Sequence, residues 1–90
     1  MRQSLARTAR TDDEADGLLG ELQHALASLA DVEVRHEVER EQIAAWSGSE
    51  ADRDRLSEEC ERRYQLERVP CLRRLDKLQN LARLQILRDL

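Results

Sequence analysis

From Leu18 onward one set of positions recurs at spacings of three, four or seven: Leu18, Leu22, Ala25, Leu29 and Val32, then His36, Ile43 and Trp46. That period puts them on a single stripe of an α-helix, which Leu19 and Leu26 widen. Ahead of the stripe, Thr11-Asp12-Asp13-Glu14 has the S/T-x-x-E form of a capping box, with acids where the helix dipole favours them. The pattern predicts one amphipathic helix over about residues 11–46, preceded by a flexible basic N-terminus, 1–10.

Ser47-Gly48-Ser49-Glu50 interrupts the pattern. Gly48 is suited to the left-handed conformation of a helix end, and Ser47 with Glu50, or Ser49 with Asp52, to capping a new helix. Trp46 and Gly48 therefore mark a turn over 47–49. A second helix is predicted over about 50–69, with a thinner and more polar inner face of Leu56, Cys60, Tyr64 and Glu67. Pro70 has no N–H and costs about 3 kcal/mol in a helix interior, so a kink or break is expected there, with a helix over about 70–89 beyond it.

The fold class that follows is all-α: an antiparallel, coiled-coil-like helical hairpin in one domain, 11–90. Folding at Gly48 brings residue i near the residue numbered about 96 minus i, which sets His36 beside Cys60 and Leu22 beside Leu75.

Leu72, Leu75, Leu78, Leu81, Leu84 and Leu87 repeat every third residue. On an α-helix each such step moves the side chain back by about 60°, so the six leucines travel around the axis. A helix that is apolar on several sides needs cover on several sides, and one neighbouring helix supplies it on only one. These six leucines are the candidate partner-binding residues, and the hairpin is expected to assemble into a multi-helix bundle.

Composition narrows the function classes. Charged residues make up 38%, with one Trp, one Tyr, no Phe and one Pro, which is material for long helices and little else. Charge is segregated: +3 over residues 1–10, −12 over 11–61 and +5 over 62–90. An acidic first half and a basic tail suit pairing within the hairpin, with Asp12, Asp13, Glu14, Asp16 and Glu21 opposing Arg73, Arg74, Lys77, Arg83 and Arg88. The tail has no aromatics to stack on bases, so nucleic acid is not the expected partner. No apolar run approaches the length of a membrane span, and the first residues lack an apolar signal core, so a cytoplasmic location is expected.

Two E-x-x-H pairs, Glu21 with His24 and Glu33 with His36, each place a carboxylate and an imidazole on one helix face. Metal sites in helical bundles use such pairs from two helices plus further carboxylates. Glu33 and His36, with Glu59 as the extra acid, are the candidate metal ligands in a dimer of hairpins. The competing use of His36 is as a polar residue fixing register on an apolar stripe. No phosphate loop, nucleophile elbow or cysteine metal spacing occurs, so neither an enzyme nor a cofactor is expected.

Trp46-Ser47-Gly48, between Ala44-Ala45 and Ser49-Glu50-Ala51, resembles the W-x-G turn of the small helical-hairpin proteins exported by type VII secretion. Membership would imply a hairpin exported without a cleaved signal and dimerising into a four-helix bundle. Arg68 stands where that family's tail pattern, counted from Tyr64, has an acid. The main expectation from the residues is a non-enzymatic interaction module, homo-oligomeric or a small adaptor or chaperone-like subunit, that binds partner helices through leucine-rich surfaces.

Overall fold

The computed structural model describes the backbone of residues 2–89 and the side chains of residues 16–89. Two helices account for nearly all of it: α1 (Arg2–Ala44) and α2 (Glu50–Asp89), packed along each other as an antiparallel hairpin. The molecule measures 73 × 20 × 15 Å, with a radius of gyration of 20.7 Å. A compact chain of this length would have a radius near 12 Å.

The seam between the helices follows a heptad rhythm. On α1 the positions facing α2 are Leu18, Leu22, Ala25, Leu29, Val32, His36, Glu39 and Ile43, alternating by four and three residues. On α2 they are Cys60, Tyr64, Glu67, Cys71, Leu75, Leu78, Ala82 and Gln85, where two successive spacings of four bracket Cys71. Ala25, Leu75 and Leu78 form the buried centre, with Leu18, Leu22 and Leu29 packed against it. Val32 and Cys60 are the other buried side chains among the described residues. A two-helix layer closes only one stripe of each helix, so most apolar groups elsewhere stay exposed.

Four features differ from the sequence-based expectation. α1 begins at Arg2 and not at Thr11, so the Thr11–Glu14 box lies inside a helix. Residues 2–10 contain no Gly or Pro, and their Ala, Leu, Arg and Gln are good helix formers that let the helix continue upstream. At the other end α1 stops at Ala44, two residues early, and the connection covers 45–49.

Gly48 does not adopt a positive φ. The turn is held instead by Ser49, whose Oγ accepts the Asp52 N–H at 3.2 Å while its carbonyl accepts the Arg53 N–H at 3.0 Å. Of the two expected caps, this is Ser49 with Asp52.

α2 is one helix from Glu50 to Asp89, unbroken at Pro70. The missing N–H removes the usual helical partner of the Leu66 carbonyl, at a point where both Leu66 and Pro70 are exposed residues. Ala25 and Ser28 line the same shallow cleft as Pro70, and these small side chains leave room for the ring.

Of the acids in early α1 expected to pair with the basic tail, Asp16 and Glu21 form no ion pair among the described residues. Asp12, Asp13 and Glu14 lie outside the described side chains. Among the described residues, the interhelical carboxylate–guanidinium pairs sit further towards the turn: Arg35–Glu67 at 3.2 Å, Glu39–Arg63 at 3.3 Å and Glu33–Arg68 at 3.3 Å.

Candidate functional site

Towards the turn, the seam replaces leucine by a polar cluster. His36 and Tyr64 stack with ring centres 3.8 Å apart and planes 12° from parallel. The His36 Nδ1 lies 3.6 Å from the Cys60 sulfur, and Nε2 lies 3.6 Å from a Glu61 carboxylate oxygen. The Tyr64 hydroxyl sits 2.7 and 2.8 Å from the two oxygens of Glu33 and donates its hydrogen between them. Arg68 reaches the same carboxylate and lies over the Tyr64 ring, 5.9 Å from its centre. His36 therefore stands beside Cys60, as the hairpin register requires.

This geometry decides what the cluster can do chemically. Burial pushes the Cys60 thiol above its ordinary pKa, and the hydrogen bond and charge of Glu39 push it further. Activated cysteines have the opposite environment, one that favours thiolate. The histidine beside it thus does not make Cys60 a nucleophile of ready access, since only 3% of its surface is exposed. The hydrogen bond to Glu33 likewise raises the Tyr64 hydroxyl above its usual value.

The candidate metal ligands are not gathered by the hairpin. Glu33 is engaged by Tyr64 and Arg68, His36 by Cys60, Glu61 and the Tyr64 ring, and Glu59 is an exposed residue outside the seam. Among the described residues no group of three or more His, Cys, Asp or Glu side chains is arranged to hold a metal ion. The fork of Tyr64 and Arg68 on Glu33 went unread in the sequence because it joins positions 31 and 35 residues apart, set by register alone.

The six leucines of the tail divide into two sets. Leu75 and Leu78 are in the hairpin's own core. Leu72, Leu81, Leu84 and Leu87 are exposed, increasingly so toward the end of α2, and Ile86 joins them. On α1, Leu19 and Leu26 are exposed as well, each 54%. The unpartnered apolar surface is therefore made by both helices, and not by the tail alone.

At the turn, the Trp46 indole folds over Gly48, and the Trp46 carbonyl accepts a 2.7 Å hydrogen bond from Arg53. Almost half of the indole remains exposed. No helix among the described residues is long and apolar enough to cross a membrane. No family model matches this chain, and no curated protein or solved structure matches it.

Proposed function

We propose that the chain is a non-enzymatic helical interaction module that works by associating with other helices through its exposed leucine surfaces. The observation that carries this reading is the division of the apolar residues. Among the described residues, a core of five buried side chains stands against twelve large apolar residues left exposed, most of them on the leucine-rich half of the hairpin. Burial of apolar area is the dominant gain in folding and association, and a two-helix layer leaves much of that gain to a further partner. A cytoplasmic location fits the two free cysteines, Cys60 and Cys71.

The reading is tested by the mass of the purified full chain in light scattering at tens of micromolar. More than one chain per particle, with thermal unfolding that shifts with protein concentration, is expected. A folded monomer with concentration-independent unfolding overturns the reading.

The packing of Trp46 over Gly48 favours a second reading, an exported hairpin of the W-x-G type. Its test is the appearance of the intact chain in culture supernatant without lysis, and its loss in a Trp46→Ala, Gly48→Ala variant that still folds.

A further inference from the structure

α2 carries a second stripe on the side away from α1. Arg62, Leu66, Val69, Arg73, Lys77, Asn80, Leu84 and Leu87 recur at spacings of three or four, and all are exposed. At about 100° per residue they lie within roughly 60° of the direction opposite the seam residues Cys71, Leu75 and Leu78. The stripe steps by four twice in succession around Arg73, beside the same double step of the seam around Cys71. The two faces therefore stay in phase over roughly 38 Å of helix.

The residue types along this stripe are segregated. Leu66 and Val69 stand at one end, Leu84 and Leu87 at the other, and Arg73, Lys77 and Asn80 between them, with Arg62 beyond Leu66 on the side of the turn. No acid interrupts it. Arg62, Arg73 and Lys77 form no ion pair among the described residues, whereas Arg63 and Arg68 of the same helix are paired with Glu39 and Glu33 of α1. Beyond Leu66 the flanking positions add Arg83 and Arg88 against Asp76.

We infer that this face docks one helix of a different protein, an amphipathic helix whose contact stripe is apolar at both ends and acidic in the middle. This rests on the interaction-module reading and adds the face and the chemistry of the partner.

Charge decides the occupant. A helix laid along α2 covers the leucines at both ends and sets a carboxylate opposite each central cation, the pairing by which flanking charges select partners in helix-on-helix contacts. A second copy using the same face about a twofold axis would set Arg73 and Lys77 of the two chains against each other. Like charges at facing positions repel, so the stripe is not its own complement. Leu19, Leu26, Leu72 and Ile86 lie off this face and remain available for self-association. An anionic lipid surface fits less well, because interfacial helices keep their cations on the polar face and leave the apolar face uninterrupted. Residues 11–61 of the same hairpin also carry −12, which such a surface would repel.

Fluorescence anisotropy with two labelled synthetic helices, each of about 28 residues so that it can form alone, tests the proposal on the full chain. One has Leu at both ends of its stripe and Glu in the middle, and the other has Lys in place of Glu. The Glu peptide should bind roughly tenfold more tightly than the Lys peptide, and its lead should shrink as salt rises. Arg73→Glu together with Lys77→Glu should reverse the preference, since the swapped charges then match the other peptide. Leu84→Glu should weaken both peptides roughly tenfold, because a carboxylate enters an apolar end of the stripe. Leu26→Glu, on α1, should change neither.

Circular dichroism checks that each variant folds, and the comparison of the two peptides on the unaltered chain carries the test if one does not. Equal binding of the two peptides, or binding of neither by a chain that still self-associates, overturns this partner while leaving an interaction module. A particle that falls to monomer on Leu84→Glu makes the occupant a second copy. Pelleting with phosphatidylglycerol vesicles in the absence of peptide binding makes it a lipid surface. Either result overturns the proposal, and a folded monomer that binds neither peptide overturns the interaction-module reading as well.

Discussion

The indole of Trp46 stands where a β-carbon on residue 48 would have to be: such an atom would lie 2.8 Å from Cε2 and 3.0 Å from Cδ1. Glycine is needed at this turn for space and not for a left-handed backbone, since Gly48 has no positive φ.

Gly48→Ala is therefore expected to swing the indole outward. The chain has one tryptophan, so its emission should shift to the red without ambiguity. Stability in urea should fall by about 1 kcal/mol, at the mild end of overpacking because the indole is already half exposed. In a Trp46→Ala background the same change should be neutral or stabilising by up to about 1 kcal/mol, through the less flexible unfolded chain. Equal losses in both backgrounds would show that the indole is not the obstacle.

Leu75→Ala and Leu78→Ala remove side chains from the hairpin's own core. Each should cost about 2–5 kcal/mol, enough to unfold so small a core. Leu84→Ala should change stability by less than about 0.5 kcal/mol at concentrations where the chain is monomeric. Chemical denaturation followed by helix signal separates the two sets, and similar losses at positions 75 and 84 would contradict the division.

Tyr64 is the only tyrosine, so ultraviolet titration reads it directly. Its hydrogen bond to Glu33, followed by partial burial and the negative charge of that carboxylate, should make it ionise above the ordinary tyrosine value. Folding favours the protonated hydroxyl. Its contribution is complete below the ordinary value and is lost as pH rises through the raised one. Glu33→Gln should return the titration toward normal, and no change on that substitution would remove Glu33 as the cause.

The two cysteines should react at different rates. Cys71 is half-buried, while Cys60 is buried with its thiol pKa raised by desolvation and by Glu39. A thiol reagent near pH 8 should label Cys71 first, with Cys60 following on the timescale of unfolding. Because the fold favours the neutral thiol, the stability Cys60 contributes is present below the ordinary thiol pKa and is lost as pH rises through the raised value. Mass spectrometry of partly labelled protein decides the order, and labelling of Cys60 first would refute it.

The stripe from Leu18 to Ile43, together with the Ser49–Asp52 cap, was enough for the sequence alone to determine an antiparallel pair of long helices joined near Gly48. Periodicity and capping are local, and they are written in consecutive residues. The placement of His36 beside Cys60 came with them, because a turn position and a fixed rise per residue set the register. Where local rules misled, a local signal was outweighed by its surroundings. Pro70 passes through α2 at an exposed position where the small Ala25 and Ser28 line the same cleft as its ring, and the Thr11–Glu14 box lies inside α1 because good helix formers precede it.

Tertiary structure alone decided which apolar residues are spent inside the chain. Leu75 and Leu78 are indistinguishable in the triplet repeat from Leu81 and Leu84, yet the first pair faces α1 and the second faces outward. A period of three does not match the 3.6 residues of a helical turn, so the repeat drifts around the axis. Only the direction of the neighbouring helix determines where that drift enters the core. The same holds on α1, where Leu19 and Leu26 belong to the apolar pattern of the sequence yet stay exposed beside the buried Ala25.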